Sequence, residues 1–204
     1  MRWTPAFVGL GIAVVAAACN QPAPAPAAAP PAPAAPAQSP AERGKYLVTV
    51  GGCDDCHSPK IFKPTGETEP DMTRRLSGHP AAEKLPPTPP GVLGPDKFGA
   101  LGNGHLTAWV GPWGTSYTRN LTPDKATGLG SWTEDMFINT LRKGKHQGEG
   151  RPLLPPMPWP NYAQMPDEDL KAVWAFLQTL PPINNAVPDP VPPPGAPPAA
   201  APAK

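Results

Sequence analysis

The sequence has 204 residues, including 36 prolines, and its 17 basic and 16 acidic side chains leave a net charge of +1. It holds no basic run with interleaved aromatic residues, so nucleic-acid binding has no support. Two Pro/Ala-rich segments, 20–40 and 186–204, lack the apolar side chains needed to offset the entropy of folding. Residues 41–185, about 145 positions with 19 prolines, suffice for one loop-rich domain and disfavour a barrel or a doubly wound sheet.

The first residues have the pattern of a bacterial export signal. Arg2 supplies a positive charge, and the apolar stretch 6–18 ends in three alanines before Cys19. A helix of that length would span about 20 Å, less than the roughly 30 Å core of a bilayer. Because a cysteine after small residues resembles a lipobox, we predict a lipoprotein signal peptide at 1–18 and lipidation of Cys19. An ordinary cleaved signal, with Cys19 incidental, is the alternative.

The two Pro/Ala-rich segments are predicted to flank the folded domain as extended chain. We expect a flexible tether at 19–40, a single folded domain at 41–185, and a disordered tail at 186–204.

The first predicted helix begins at a capping box. Ser39 is a favourable N-cap, Pro40 suits the first helical position, and Glu42 stands three residues after the cap. The pair Gly51-Gly52 would end this helix. Inside it, Gly44 costs about 1 kcal/mol relative to alanine, which predicts a close crossing with another helix at that position.

A C-x-x-C-H motif follows directly, formed by Cys53, Cys56 and His57. This spacing is that of covalent c-type haem attachment: one helical turn brings two thiols to the two vinyl groups, and the histidine becomes the proximal iron ligand. A zinc site would need two further Cys or His ligands at short spacing, and a redox disulfide usually stands in a βαβ pattern. A structural disulfide between the two cysteines would leave His57 without a role. We therefore predict one covalently attached haem c.

Two more helices are predicted in the second half. One begins at the capping box 131–134 and ends at Gly144, and its inward-facing residues are predicted to be Met136, Phe137, Thr140 and Leu141. The last opens with acidic residues at Asp167 and ends before Pro181-Pro182, with apolar residues at helical spacing: Leu170, Val173, Trp174 and Leu177. Since no run shows strand alternation, we predict an all-α domain with long Pro/Gly-rich loops.

These motifs together resemble a class I c-type cytochrome. The shared features are the Gly44-x-Tyr46-Leu47 step, the C-x-x-C-H motif, a Met-Pro step, and an acidic start to an aromatic last helix. The second half is more similar to the monohaem domains in cytochrome subunits of periplasmic dehydrogenases, through the following segments: Asn120-Leu121-Thr122-Pro123-Asp124, Thr127-Gly128-Leu129-Gly130, Trp132-Thr133, Met157-Pro158-Trp159 and Leu180-Pro181-Pro182-Ile183-Asn184-Asn185. The resemblance covers about 41–190, although segment 61–112 matches less well. It implies that 41–185 is a monohaem cytochrome c domain with a cytochrome c fold, in which three or more helices surround one haem.

The distal iron ligand is predicted to be Met157. It lies in a run with four prolines that would hold the side chain in place without a helix. In class I cytochromes the distal methionine stands in a Met-Pro step at about this distance before the last helix. Met165 and a histidine are the alternatives, but we expect His79, His105 and His146 to be solvated. Thioether ligation favours Fe(II) and would raise the reduction potential relative to bis-histidine ligation.

Other polar residues have less definite roles. The resemblance places Tyr117, Arg119, Asn120 and Trp132 near the haem, where Arg, Trp and Tyr donors could bind propionates; Trp132 could equally anchor its helix in the core. Asp54 and Asp55 could form a charged docking surface at the haem edge or be two solvated charges.

The function expected from the sequence is single-electron transfer rather than catalysis. We predict a lipid-anchored carrier on the periplasmic side of a bacterial membrane, inner or outer, whose tether reaches about 60 Å at most as polyproline II. Its partners would be an electron donor and an electron acceptor, with no nucleic acid and no small-molecule substrate. The alternatives are a haem subunit of a substrate-oxidising dehydrogenase complex, a peroxidase-like enzyme, or a haem-based gas sensor.

Overall fold

The computed structural model describes residues 38–196, and Cys19 with the predicted signal and most of the tether lies outside them. The described residues form five α-helices: α1 (Pro40–Val50), α2 (Cys53–His57), α3 (Glu134–Lys143), α4 (Trp159–Tyr162) and α5 (Asp167–Leu177). Two short 3₁₀ turns lie at Met72–Arg74 and His146–Gly148. None of the helices described is long and apolar enough to cross a membrane.

The predicted start of α1 is confirmed. The Ser39 side chain accepts a hydrogen bond from the Glu42 backbone N–H, and the Glu42 carboxylate accepts one from the Ser39 backbone N–H, at 2.8 Å. These reciprocal bonds satisfy donors that the first helical turn leaves free. Gly51 caps the other end of α1, and Gly52 reverses the chain in a left-handed conformation with φ of 67°.

The start of α3 differs from the prediction. The N-cap is Thr133, whose side chain accepts from the Met136 backbone N–H, so the predicted capping box at 131–134 is wrong. Phe137, Thr140 and Leu141 are buried as expected, but Met136 is 38% exposed and does not belong to the core. The predicted stop at Gly144 is confirmed by its φ of 63°.

The core lies where α1 crosses α5. Val48 and Leu170 are fully buried at this contact, with Val173 and Leu177 of α5 packed into the same cluster. The Arg43 guanidinium donates two hydrogen bonds to the Asp169 carboxylate, at 2.9 and 3.1 Å, and ties the two helices together. An ideal Cβ on Gly44 would lie 1.8 Å from the Ala172 carbonyl oxygen, which explains the glycine within α1.

Replacing Gly44 with alanine should destabilise the domain through this contact. The added methyl group would force α1 away from α5, and such overpacking costs about 2 kcal/mol or more in the free energy of unfolding. Urea titration of the variant measures the loss. Gly99→Ala is the matched control, because nothing lies within 4 Å of a Cβ there. Equal midpoints for the two variants would show that the crossing tolerates a side chain.

The prediction of an all-α fold is wrong, because the described residues include two antiparallel sheets. One is a hairpin of β1 (Lys60–Phe62) and β2 (Thr68–Pro70). The other is three-stranded, in the order β3 (Leu101–Gly102), β4 (Ala108–Gly111) and β5 (Gly114–Tyr117). All five strands are two to four residues long, too short to show the alternation by which strands are read from a sequence.

The first residues after position 185 pack on the three-stranded sheet. Thr115 in β5 exchanges both backbone hydrogen bonds with Val191, at 2.7 and 2.9 Å. Val187 is 7% exposed, and the Arg119 guanidinium donates to the carbonyls of Val187 and Pro188. An ideal Cβ on Gly114 would lie 2.1 Å from the Val191 carbonyl oxygen, so this contact requires a glycine.

Candidate functional site

The two motif cysteines lie on the single turn α2. Both are half-buried free thiols, so they do not form the disulfide considered as an alternative. Burial raises the pKa of Cys53 to about 12, with a contribution from the neighbouring Asp54 charge, and burial also raises the pKa of Cys56. Redox-active cysteines have lowered pKa values, so a catalytic thiol–disulfide site is disfavoured. Two protonated thiols one helical turn apart agree with a site for covalent attachment.

His57 is held with one ring nitrogen bound and the other available. Its Nδ1 lies 2.8 Å from the Arg119 carbonyl oxygen. Because a carbonyl only accepts, Nδ1 carries the proton, which leaves the Nε2 lone pair available to a metal. Burial lowers the pKa of His57, in part offset by this hydrogen bond, so the ring is held neutral. A neutral imidazole with an oriented Nδ1–H is the form that ligates iron.

Gly78 supports both partners of this hydrogen bond. Its backbone N–H donates to the His57 carbonyl at 2.8 Å. Its φ is +80°, and an ideal Cβ there would lie 2.8 Å from the Arg119 carbonyl oxygen. A side chain at this position would therefore strain the backbone and press on the atom that orients the imidazole.

Asp54 is not a free surface charge. Its carboxylate accepts two hydrogen bonds from the Arg75 Nε and one from the Arg75 Nη2 at 2.7 Å, and one from the Ser58 hydroxyl at 2.8 Å. Burial opposes its ionisation, but these donors outweigh burial and lower its pKa. The Lys60 ammonium donates to the Asp54 carbonyl at 3.0 Å. Arg75 lies in segment 61–112 and Lys60 directly precedes it, so this part of the chain holds α2 in place. Asp55 is exposed.

Met157 and Met165 both lie at the edge of the core that also contacts Cys53. Each is partly buried and packs against the same cluster of buried residues. Between them, the Tyr162 hydroxyl of α4 donates to the Gly51 carbonyl at 2.6 Å. Burial raises the pKa of Tyr162 to about 12, so the phenol stays a donor. The loop with both methionines is therefore tied to the turn before the thiols, and the choice of Met157 stays a prediction.

Cys53 and the two methionines belong to a larger set of partly buried hydrophobic side chains at the edge of the core. The other partly buried hydrophobic side chains packed against the same cluster are Leu47, Leu121, Trp132, Ile138, Tyr162, Trp174 and Leu180. An imidazole with an available nitrogen and two free thiols, with Cys53 and both methionines at the edge of one apolar cluster, fit haem c by the chemistry of this donor set. Within residues 38–196 no group of three His, Cys, Asp or Glu side chains could hold a metal ion, so the zinc alternative gains no support.

The prediction that the other histidines are solvated is wrong for His79. It is fully buried, its Nδ1 lies 3.0 Å from the Thr107 hydroxyl, and its Nε2 has no hydrogen-bond partner among the described residues. His105 accepts from the Lys60 backbone N–H at 2.9 Å and packs edge-on against Phe62. These contacts place both in the packing of segment 61–112.

The remaining predicted haem neighbours have mixed positions. Arg119 contacts His57 through its carbonyl, while its guanidinium faces the residues after 185. Asn120 is 3% exposed and donates to the Ile183 carbonyl at 2.7 Å, so it has a structural role. The Trp132 ring packs against the core and edge-on against His146. Tyr117 lies beside the His79 ring.

Sequence reasoning missed the residues that tie the site together from a distance. Arg75 and Tyr162 hydrogen-bond to Asp54 and Gly51 from distant parts of the chain, yet neither stands in a recognisable motif. The one local signal was the pair of prolines around Trp159, which places α4 and hence Tyr162 directly after Met157.

Comparison with known proteins gives a consistent set of relatives. The chain is 33% identical over 149 residues to the gluconate 2-dehydrogenase cytochrome c subunit of Pantoea cypripedii. The aligned region covers 72% of this chain and 25% of that protein. It is 42% identical over 65 residues to the cytochrome c subunit of a quinone-type alcohol dehydrogenase from Gluconobacter oxydans. That alignment covers 32% of this chain and 13% of the relative. A dihaem c-type cytochrome of Cereibacter sphaeroides is 27% identical over 146 residues, 72% of this chain and 38% of the relative.

The first of these relatives are much longer than the chain, which spans a quarter of one and 13% of the other. No protein-family model matches the chain. The resemblance predicted from the motifs, to the cytochrome c subunits of dehydrogenases, is nevertheless confirmed by these similarities.

Proposed function

We propose that this chain, a c-type cytochrome similar to dehydrogenase cytochrome subunits, carries single electrons through one covalently bound haem. Cys53 and Cys56 would hold the porphyrin through thioether bonds, His57 would be the proximal ligand, and Met157 the distal ligand. The chain would make or break no bond of a substrate. The sequence holds one C-x-x-C-H motif, which supports a single haem in this chain.

The observation that carries this proposal is the state of His57. Its Nδ1–H donates to the Arg119 carbonyl at 2.8 Å, so Nε2 is left to bind a metal next to two free thiols. The haem iron supplies the one-electron chemistry when bound. The protein would bind the porphyrin, orient the imidazole and limit access of water and small ligands to the iron.

The direct test is electron exchange by the haem-loaded protein. We expect reversible one-electron titration, fast oxidation and reduction by small redox mediators, and no binding of carbon monoxide to the reduced protein, since both axial positions would be occupied. Rapid carbon monoxide binding would instead support the gas-sensor alternative, and turnover of hydrogen peroxide would support a peroxidase-like enzyme.

For the partners, we propose a dehydrogenase as electron donor, on the basis of the relatives. Their names describe cytochrome c subunits of gluconate, alcohol and fructose dehydrogenases. Reduction of the haem by a purified dehydrogenase of one of these classes, with its own substrate, would test the assignment. The acceptor would be a membrane or soluble redox protein.

We also propose that Cys19 anchors the protein to a membrane through an acyl chain, with the domain facing the periplasm. The motif before Cys19 and the Pro/Ala-rich tether support this placement. Cys19→Ser should move the protein from the membrane fraction to the soluble fraction, because acylation needs the thiol. Haem content should not change. A native protein that is already soluble, with an unmodified Cys19 thiol, would contradict the anchor.

A further inference from the structure

Strand β5 and the residues just after it contact both the loop that carries Met157 and the end of α2 that carries His57. The Ser116 hydroxyl, near the end of β5, donates to the Pro155 carbonyl at 2.6 Å, two residues before Met157. Arg119, two residues after β5 ends, accepts the Nδ1–H of His57 at 2.8 Å. One stretch of four residues therefore contacts both sides of the candidate site.

Ser116 is held in one position. It is 8% exposed, and its Cα pairs with Trp109 across β4 and β5. The Trp113 indole N–H donates to the Ser116 hydroxyl oxygen at 3.2 Å. Because a carbonyl oxygen only accepts, the Ser116 hydroxyl donates its own proton to Pro155. The other edge of β5 is fixed by the pairing of Thr115 with Val191.

The loop that receives this hydrogen bond is stiff. Pro155, Pro156 and Pro158 surround Met157, and proline fixes the backbone dihedral φ. The Met157 N–H also donates to the Leu154 carbonyl at 3.3 Å. In a stiff loop, a displacement of the Pro155 carbonyl is passed on to Met157 rather than absorbed by local rotation. The Ser116 bond is thus suited to set where the thioether lies.

We infer that Ser116 is a positioning residue for the Met157 thioether. The inference rests on the proposed function, in which Met157 is the distal ligand. It also gives a role to the three-stranded sheet. Strand β5 holds the distal loop through Ser116, and Arg119, two residues after the strand, holds the proximal imidazole.

The test compares Ser116→Ala with Ser116→Thr, both loaded with haem. In Ser116→Ala we expect covalent haem to remain, the ferric charge-transfer band from the iron–thioether bond to weaken, and the potential to fall. We expect carbon monoxide to bind the reduced protein at least tenfold faster, equal to a decrease of about 1.4 kcal/mol in the activation free energy of binding. Ser116→Thr keeps the hydroxyl and should restore all three readouts.

Thr140→Val is the matched control. Thr140 is also 8% exposed and its hydroxyl donates to the Met136 carbonyl at 2.7 Å, so the variant removes a similar bond from α3. It should leave the band, the potential and carbon monoxide binding unchanged. If Ser116→Ala behaves like wild type while Met157→Ala loses the band, the positioning role is wrong and the ligand assignment stands. If Met157→Ala keeps the band, the ligand assignment itself is wrong.

Discussion

Replacing both Cys53 and Cys56 with alanine is expected to abolish covalent haem in this protein. The two half-buried thiols on α2 are the only cysteines of residues 38–196, so no other described side chain can form the thioether bonds. After denaturing electrophoresis, haem stain at the mass of the polypeptide should disappear. Each single substitution should leave one thioether bond and a reduced signal.

Two variants separate attachment from other effects of the cysteines. Cys19→Ser removes the third cysteine and should keep the full haem stain. His57→Ala keeps both thiols but removes the proximal ligand, so any haem attached should lack the spectrum of a six-coordinate iron. An unchanged haem stain in the Cys53→Ala, Cys56→Ala double variant would refute the central proposal, because the porphyrin would then be held by other bonds.

The features that the sequence predicts well are local ones. The capping box at Ser39, the glycines after α1, and the C-x-x-C-H spacing each depend on residues within four positions of one another. The structure at each of these positions is determined by hydrogen bonds within about one helical turn. The Gly44 crossing was also predictable, since a glycine inside a helix is unfavourable unless another chain approaches closely.

The features that the sequence did not predict depend on long-range pairing. The five strands are short, and their pairing is fixed by partners such as Trp109 with Ser116 rather than by an alternating pattern. Both interpretations of Asp54, as a docking charge or as a solvated charge, missed its partner, because Arg75 lies 21 residues further along the chain. His79 looked solvated because its neighbours are glycine and proline, whereas packing under Thr107 and Tyr117 buries it. Such contacts exist only once segment 61–112 has folded.

The prediction of the distal ligand also combines a local sequence feature with long-range contacts. The Met-Pro step and its distance from the last helix favour Met157, and both Met157 and Met165 pack at the core edge that contacts Cys53. Met165 stands two residues before α5, where the backbone of Met165 donates to the Tyr162 carbonyl at 3.1 Å. Its side chain position is thus coupled to α4 and α5, while that of Met157 is coupled to the proline-rich loop and Ser116.

Met157→Ala is therefore expected to open the distal side of the haem and leave it covalently attached. Cys53, Cys56 and His57 would still hold the porphyrin, so the variant loses only the soft ligand that favours Fe(II). The reduction potential should fall by a substantial part of the roughly 0.8 V range that axial ligands control, and carbon monoxide should bind the reduced protein. Redox titration and carbon monoxide difference spectra measure the two effects.

Met165→Ala is the control that decides between the two methionines. If Met157 is the ligand, Met165→Ala should act only as a packing change, with the potential and the closed distal side retained. The stiffness of the loop with Pro155, Pro156 and Pro158 and the attachment of Met165 to the start of α5 should keep Met165 from replacing Met157 at the iron. A lowered potential in Met165→Ala, with an unchanged potential and no carbon monoxide binding in Met157→Ala, would reverse the assignment and make Met165 the ligand.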